Sequence, residues 1–210
     1  MTEPLGAFLN AAAAAADLLS APEVAKSWER PSALAEFRVS GLAGHLVRAT
    51  TTVETYLAAP PPDAAPIGAG EYYARLASSD ISQPANQAVR ARGEETAAGG
   101  PAEVARQAHE LCHRLSARLP GEDMSRPLAV GHGLVVTLSE YLRTRVVELV
   151  VHSEDLALSV GVTPVPPTPA AASVAIETLV EVARARHGDV PVLRALARRE
   201  RDAVDALRVL

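Results

Sequence analysis

The chain has 210 residues, of which 48% are apolar and only 3% aromatic, so it can bury a core of its own, and that composition favours closely packed helices over a sheet. Its formal net charge of −5 excludes a broad positive surface, and we expect neither nucleic acid nor an anionic membrane as a partner. The single cysteine, Cys112, excludes an intrachain disulfide and is typical of a protein of the reducing cytoplasm.

Four long stretches repeat apolar residues at three and four positions, which predicts four long helices. The first covers residues 3 to 20, and the second begins at Ser40, as its N-cap, and ends near residue 59. The third begins at Pro101 and ends at residue 119. The fourth begins near Thr137 and continues to Val160, because the glycine that follows can supply a left-handed turn.

The segments between and after these stretches are less regular. Residues 60 to 100 predict a long crossover with short helical pieces at 72 to 76 and 86 to 96. After a proline-rich linker, two further helices are predicted at 170 to 187 and 190 to 208. We therefore expect an all-α protein built as a helical bundle.

The N-terminal alanine run has no basic segment before it, so the sequence predicts no signal peptide and a cytoplasmic protein. The longest apolar run elsewhere is too short to span a bilayer. The back of the fourth helix is also apolar, with Val147, Val151 and Leu158. The C-terminal helices could cover this face, or a second copy could cover it in a homodimer.

A polar line borders the apolar stripe of the fourth helix, and its members are Tyr141, Arg145, Glu148, His152, Asp155 and Ser159. Glu148 and His152 are four residues apart, so their side chains lie on adjacent turns and can reach one ion. His45 flanks the apolar stripe of the second helix and could supply a third ligand. Two imidazoles and one carboxylate leave a coordination position open, as in catalytic zinc sites. Such pairs also occur in partly buried polar seams that hold no metal.

A second candidate site lies on the third helix, where residues 109 to 113 match the HExxH pattern of zinc metalloproteases. Both histidines project away from the apolar stripe of this helix, which predicts that they face solvent. Ser116 and Leu119 stand where an extended metalloprotease motif would continue, so that motif is not completed. A solvated helix face is the favoured interpretation, and a metalloprotease is the remote alternative.

Residues 138 to 161, LSEYLRTRVVELVVHSEDLALSVG, resemble the signature of the DinB-like family that contains the mycothiol-dependent maleylpyruvate isomerases. The family motif of Arg, Glu, His and Asp, spaced by two, three and two residues, is matched by Arg145, Glu148, His152 and Asp155. Residues 28 to 49, WERPSALAEFRVSGLAGHLVRA, are similar to the first motif of the family, which ends in the His-Leu pair at His45.

The resemblance implies a DinB-like four-helix bundle with one long crossover. In a single domain of residues 1 to 210, residues 1 to 162 would form this bundle and residues 163 to 210 a C-terminal helical extension, without the sterol-carrier-like second domain of the full-length isomerases. It implies that a divalent metal, with zinc as the expected ion, is held by His45, Glu148 and His152. Mycothiol or a similar low-molecular-weight thiol would be the cosubstrate.

The function implied is a metal-dependent enzyme in which the thiol acts on small electrophilic substrates, by cis-trans isomerisation or by S-transfer. Arg145 and Asp155 are the expected catalytic residues. Arg145 would bind a substrate carboxylate or clamp Glu148, and Asp155 would orient His152 or be a plain surface carboxylate. The main alternative is a non-catalytic helical bundle that binds a metal or another ligand.

Overall fold

The computed structural model of the protein describes residues 4–76, 84–197 and 204–209, and these residues are mostly helical. The α-helices, in chain order, are α1 (Pro4–Leu19), α2 (Pro22–Lys26), α3 (Val39–Ala58), α4 (Ala69–Leu76), α5 (Pro84–Ala97), α6 (Pro101–Arg118), α7 (Leu138–Val160), α8 (Pro169–His187) and α9 (Asp189–Ala197). A short antiparallel hairpin pairs β1 (Pro127–Ala129) with β2 (Val135–Thr137).

The four long helices α1, α3, α6 and α7 form a bundle around the apolar core. Helices α1 and α3 each contact both α6 and α7, so α1 and α3 lie at opposite corners of the bundle. Leucines from three of the helices are fully buried between them: Leu42, Leu46, Leu111, Leu115, Leu142 and Leu149. The all-α bundle predicted from the sequence is confirmed, and α4 and α5 lie in the long crossover between its second and third helices.

The crossover is more regular than the sequence predicts, because α5 packs along the length of α3. This close approach requires glycine. A Cβ atom built on Gly44 would lie 2.0 Å from the carbonyl oxygen of Gly93, and one built on Gly93 would lie 2.5 Å from that of Gly41. The contact fixes the turn of α3 on which the next residue, His45, is carried.

The predicted start of the second helix is wrong by two residues, because the N-cap is Arg38 and not Ser40. α3 begins at Val39, and Arg38 occupies the N-cap position without a side-chain hydrogen bond. The backbone N–H of Ser40 donates instead to the carbonyl of Trp28, so the preceding turn satisfies a donor that a capping side chain usually satisfies. The Ser40 hydroxyl donates to Glu94 of α5 over 2.9 Å.

The hairpin between α6 and α7 was not predicted. Each of its strands has three residues, which is too short for an alternating pattern to stand out in the sequence. Its tip contains His132 in the left-handed region, with a φ of 63°. β2 leads directly into α7, where the side chain of Thr137 accepts a hydrogen bond from the backbone N–H of Glu140 and caps the helix.

The C-terminal helices pack against the bundle, with α8 in contact with α1, α4 and α7. The predicted helix at 190 to 208 is wrong in its last part, because Val204–Leu207 form a 3-10 turn. Residues 198 to 203 of that prediction lie outside the described residues. The turn brings the chain end back to α8, where Arg186 donates to the carbonyl of Val209 over 2.9 Å.

The apolar back of α7 is largely covered within the chain. Val147 is fully buried and Val151 is partly buried, whereas Leu158 is 58% exposed. The homodimer therefore stays a prediction. In the described part of the chain, no helix combines the length and the apolar character that crossing a membrane requires.

Gly44→Ala is expected to lower the free energy of unfolding by about 1–3 kcal/mol, because the added methyl group meets the backbone of α5. Gly6→Ala in α1 is the matched control, since a Cβ atom there meets nothing within 4 Å. The control is expected to raise the free energy of unfolding by up to about 1 kcal/mol through helix propensity. Urea unfolding measures both changes, and equal effects would contradict the close α3–α5 contact.

Candidate metal centre

The structure brings together the three predicted ligands, His45 of α3 and Glu148 and His152 of α7. One ligand atom from each lies within 4.8 Å of the other two. Oε2 of Glu148 lies 2.8 Å from Nε2 of His45 and 3.4 Å from Nε2 of His152. In a tetrahedral zinc site with bonds of about 2.0 Å, ligand atoms lie about 3.3 Å apart. The three side chains therefore fit one divalent ion after small shifts.

Each ligand side chain is mostly enclosed but not sealed. The exposed fractions are 16% for His45, 14% for Glu148 and 18% for His152. Enclosure strengthens the attraction between the carboxylate and a cation, and the remaining exposure leaves a side from which a small molecule can approach. A purely structural zinc site would use a fourth protein ligand in place of that opening. This donor set with partial exposure is typical of a catalytic site.

Asp155 lies one turn after His152 and faces its ring. Its Oδ2 is 3.0 Å from Nδ1 of His152. A proton on Nδ1 that is donated to the carboxylate leaves the lone pair of Nε2 free to bind an ion. Ligating histidines commonly carry such a partner on the second nitrogen. The position of Asp155 therefore suits the orienting role that the sequence predicts.

Tyr73 of α4 is a further contact that sequence reasoning missed. Its hydroxyl lies 2.7 Å from Oε1 of Glu148 and 2.9 Å from the backbone carbonyl oxygen of Thr144. Burial is the main cause that raises the pKa of Tyr73 well above its ordinary value, so this hydroxyl stays protonated and donates. The signal in the sequence was a pair of adjacent tyrosines, Tyr72 and Tyr73, in a chain with only four.

In the metal-free site, the surroundings shift the pKa values of the two imidazoles and the carboxylate in different ways. Burial lowers the pKa of His45. Burial also opposes a charge on His152, but hydrogen bonds to Asp155 and Glu148 outweigh it and raise its pKa to about 9. For Glu148, burial would raise the pKa, yet hydrogen bonds from His152 and His45 and the charge of Arg145 hold it well below its ordinary value. Without an ion, the site therefore holds a carboxylate beside a protonated His152.

Arg145 lies one turn before Glu148 but does not clamp it through a hydrogen bond. Its Nε donates to the Thr144 hydroxyl over 3.1 Å, and its guanidinium carbon lies 4.8 Å from the centre of the Tyr141 ring. It makes no ion pair with another residue that the structure describes. The guanidinium is thus held in place without a described carboxylate in ion-pair contact, although its charge acts on Glu148 from one turn away.

The HExxH segment does not form a site. His109 and His113 are both exposed on α6, and Nε2 of His109 lies 2.9 Å from the Ser20 hydroxyl. Among the described residues, the one cluster of three metal-ligating side chains is that of His45, Glu148 and His152. The prediction that this face of α6 is exposed to solvent is confirmed.

A model of the mycothiol maleylpyruvate isomerase N-terminal domain family matches residues 8–157, which is most of the chain. The chain belongs to this family. The match to the mycothiol maleylpyruvate isomerase N-terminal domain includes all three ligand positions and leaves α8 and α9 outside. No curated protein and no solved structure matches the chain. The family resemblance drawn from the two sequence motifs is confirmed.

The affinity of the protein for zinc is expected to rise with pH and to level off near pH 9. The proton on His152 competes with the ion, because the pKa of this histidine in the metal-free protein is raised to about 9. Each pH unit below that value should weaken the apparent affinity about tenfold. Competition with a chromophoric chelator whose protonation constants are known measures the zinc affinity at each pH.

Two variants make this test specific to His152. Asp155→Asn removes a group that raises the pKa of His152, so the plateau should begin at a lower pH. His113→Ala, on the exposed face of α6, should leave the profile unchanged. A zinc affinity that does not vary between about pH 6.5 and 9 would contradict the assignment of His152 as a protonated ligand.

Proposed function

We propose that the protein is a divalent-metal-dependent enzyme that uses a low-molecular-weight thiol, mycothiol or a close relative, on small electrophilic substrates. The observation that carries the proposal is the convergence of His45, Glu148 and His152 within 4.8 Å in a member of this family. Two imidazole nitrogens and one carboxylate oxygen are a donor set of catalytic zinc sites, which keep one position for water or substrate. Zinc is therefore the proposed ion.

A bound divalent ion would supply the Lewis acidity that keeps a thiol deprotonated at neutral pH. The protein side chains hold and orient the groups of the site. His45, Glu148 and His152 hold the position, and Asp155 keeps the His152 ring turned with Nε2 toward the other two ligands. The partial exposure of the ligands leaves the side from which the thiol enters.

The thiolate can act on an electrophile in two ways. It can add to a carbon–carbon double bond conjugated to a carbonyl, allow rotation about the resulting single bond, and leave again, which gives cis-trans isomerisation with no net change in atoms. It can also displace a leaving group and stay attached, which gives S-transfer. Family membership supports the first reaction, and we propose isomerisation ahead of transfer.

Arg145 is the proposed binding group for a carboxylate on the electrophile. Its Nε is held by Thr144 and its face by Tyr141, and its terminal nitrogens donate to no other described residue. A guanidinium in this state matches the two oxygens of a carboxylate. Because Arg145 is one turn from Glu148, it would hold the anionic end of the substrate beside the ion. The proposed substrates are therefore unsaturated carboxylic acids.

The proposed partners are these small molecules and not nucleic acid, in keeping with the net charge of −5. A cytoplasmic location is part of the proposal. It is supported by the single free cysteine, Cys112, and by the use of a thiol cosubstrate that requires a reducing compartment.

The first experiment compares wild type, His152→Ala and His113→Ala for zinc content and for turnover of maleylpyruvate-like cis acids in the presence of mycothiol. His152→Ala is expected to lose zinc and to lose at least about 100-fold in turnover, while His113→Ala retains both. Thiol consumption against a panel of other electrophiles, with and without zinc, tests S-transfer.

The outcomes separate the three functions. Zinc binding by wild type with no turnover of any substrate would leave a non-catalytic binding bundle. Loss of zinc from His113→Ala, with retention by His152→Ala, would instead support the metalloprotease interpretation of the HExxH segment.

Arg145→Gln is expected to raise KM for a carboxylate substrate about 10- to 100-fold, because a charge-assisted hydrogen-bond pair is lost. The methyl ester of the same substrate is the internal control, since it lacks the charge that Arg145 would bind. Zinc content should be unchanged. An equal loss of activity for the acid and the ester would contradict the carboxylate-binding role.

A further inference from the structure

Tyr73 reaches one of the proposed metal ligands, Glu148, from outside the two helices that carry the ligands. It belongs to α4, in the crossover, and the residue is 4% exposed. Its hydroxyl lies 2.7 Å from Oε1 of Glu148 and 2.9 Å from the carbonyl oxygen of Thr144. Both of these oxygens only accept hydrogen bonds, so the hydroxyl is the donor and its single proton is shared between them.

The two oxygens of Glu148 consequently have different neighbours. Oε2 faces the imidazole nitrogens, 2.8 Å from Nε2 of His45 and 3.4 Å from Nε2 of His152. Oε1 faces away from them, toward Tyr73. A carboxylate without such a partner can turn and bind an ion through both oxygens, which occupies a second coordination position.

We propose that Tyr73 is a positioning residue that holds Glu148 as a one-oxygen ligand and so preserves the coordination position that the thiol sulfur enters. The inference rests on the metal site of the proposed function. It adds a residue from the crossover to a site whose ligands come from α3 and α7. The role of Tyr73 is exerted through Glu148, without contact to the substrate.

The fold anchors α4 so that this hydroxyl is fixed. Oε2 of Glu140, in the first turn of α7, accepts from the backbone N–H of Ala69 over 2.7 Å at the start of α4. Arg143 links the same glutamate to Glu181 of α8, with 2.6 Å to Glu181. A Cβ atom on Gly70 would lie 2.8 Å from that of Glu181, so α4 and α8 are in close contact. These contacts hold α4 against α7 and α8.

The test replaces Tyr73 by Phe in the full chain and uses cobalt(II) alone as the probe ion at saturating concentration. Four-coordinate cobalt absorbs visible light more strongly than five- or six-coordinate cobalt, so the spectrum reports whether Glu148 binds through one oxygen or two. Wild type is expected to show the strong absorption, and Tyr73→Phe a clearly weaker one. The apparent Kd for mycothiol, followed through the same bands, should rise about tenfold in Tyr73→Phe.

Tyr72→Phe is the matched control. Tyr72 lies on the same helix and is 8% exposed, but its hydroxyl makes no hydrogen bond to a described residue. Its removal should leave the cobalt spectrum and the mycothiol affinity unchanged. A loss of stability alone, without a spectral change in Tyr73→Phe, would indicate a merely structural role and would overturn the inference.

The results distinguish this inference from the proposed function. If wild type binds no cobalt, the proposed metal site fails and the role of Tyr73 fails with it. If wild type binds cobalt and Tyr73→Phe gives the same spectrum and mycothiol affinity, only the Tyr73 inference is overturned. A crystal structure of cobalt-loaded wild type is the second measurement, because both Glu148 oxygens on the ion would overturn the inference even if Tyr73→Phe did not fold.

Discussion

The contact between His45 of α3 and Glu148 of α7 is the interaction on which the site depends. It joins residues 103 positions apart across the bundle, over 2.8 Å. A carboxylate this enclosed is costly unless its charge is balanced and its oxygens are hydrogen-bonded. Here one oxygen faces the two imidazoles and the other faces Tyr73. Hydrogen bonds from His152 and His45, with the charge of Arg145, keep the pKa of Glu148 low despite burial. A divalent ion would replace the proton on His152 as the balancing charge.

The crossover contributes more to this arrangement than its irregular sequence suggests. α5 approaches α3 through Gly44 and Gly93, directly beside the turn that carries His45. α4 brings Tyr73 to the other side of the site, onto Glu148. The bundle helices thus carry the three proposed ligands, and the crossover helices contact α3 beside His45 and the carboxylate of Glu148. This division of roles links the stability of the crossover to the geometry of the site.

The helix α7 organises the chemistry along a single polar line. Arg145, Glu148, His152 and Asp155 follow one another at spacings of three and four residues, so they share a face of the helix. Each has a different surrounding: Arg145 rests on an aromatic ring, Glu148 lies between imidazoles and a tyrosine, and Asp155 faces the far nitrogen of His152. Anion binding, metal binding and ligand orientation are thereby proposed for successive turns of one helix.

The sequence alone determined the long helices, the polar line of α7 and the exposure of the HExxH histidines, because helical periodicity is a local property of neighbouring residues. It also pointed to the three ligands through two motifs on separate helices. Only the tertiary structure decided that Ser40 does not cap α3, that a short hairpin precedes α7, and that Tyr73 reaches Glu148, 75 positions away. These features depend on which distant segments pack side by side. The periodicity of residues along the chain does not specify those neighbours.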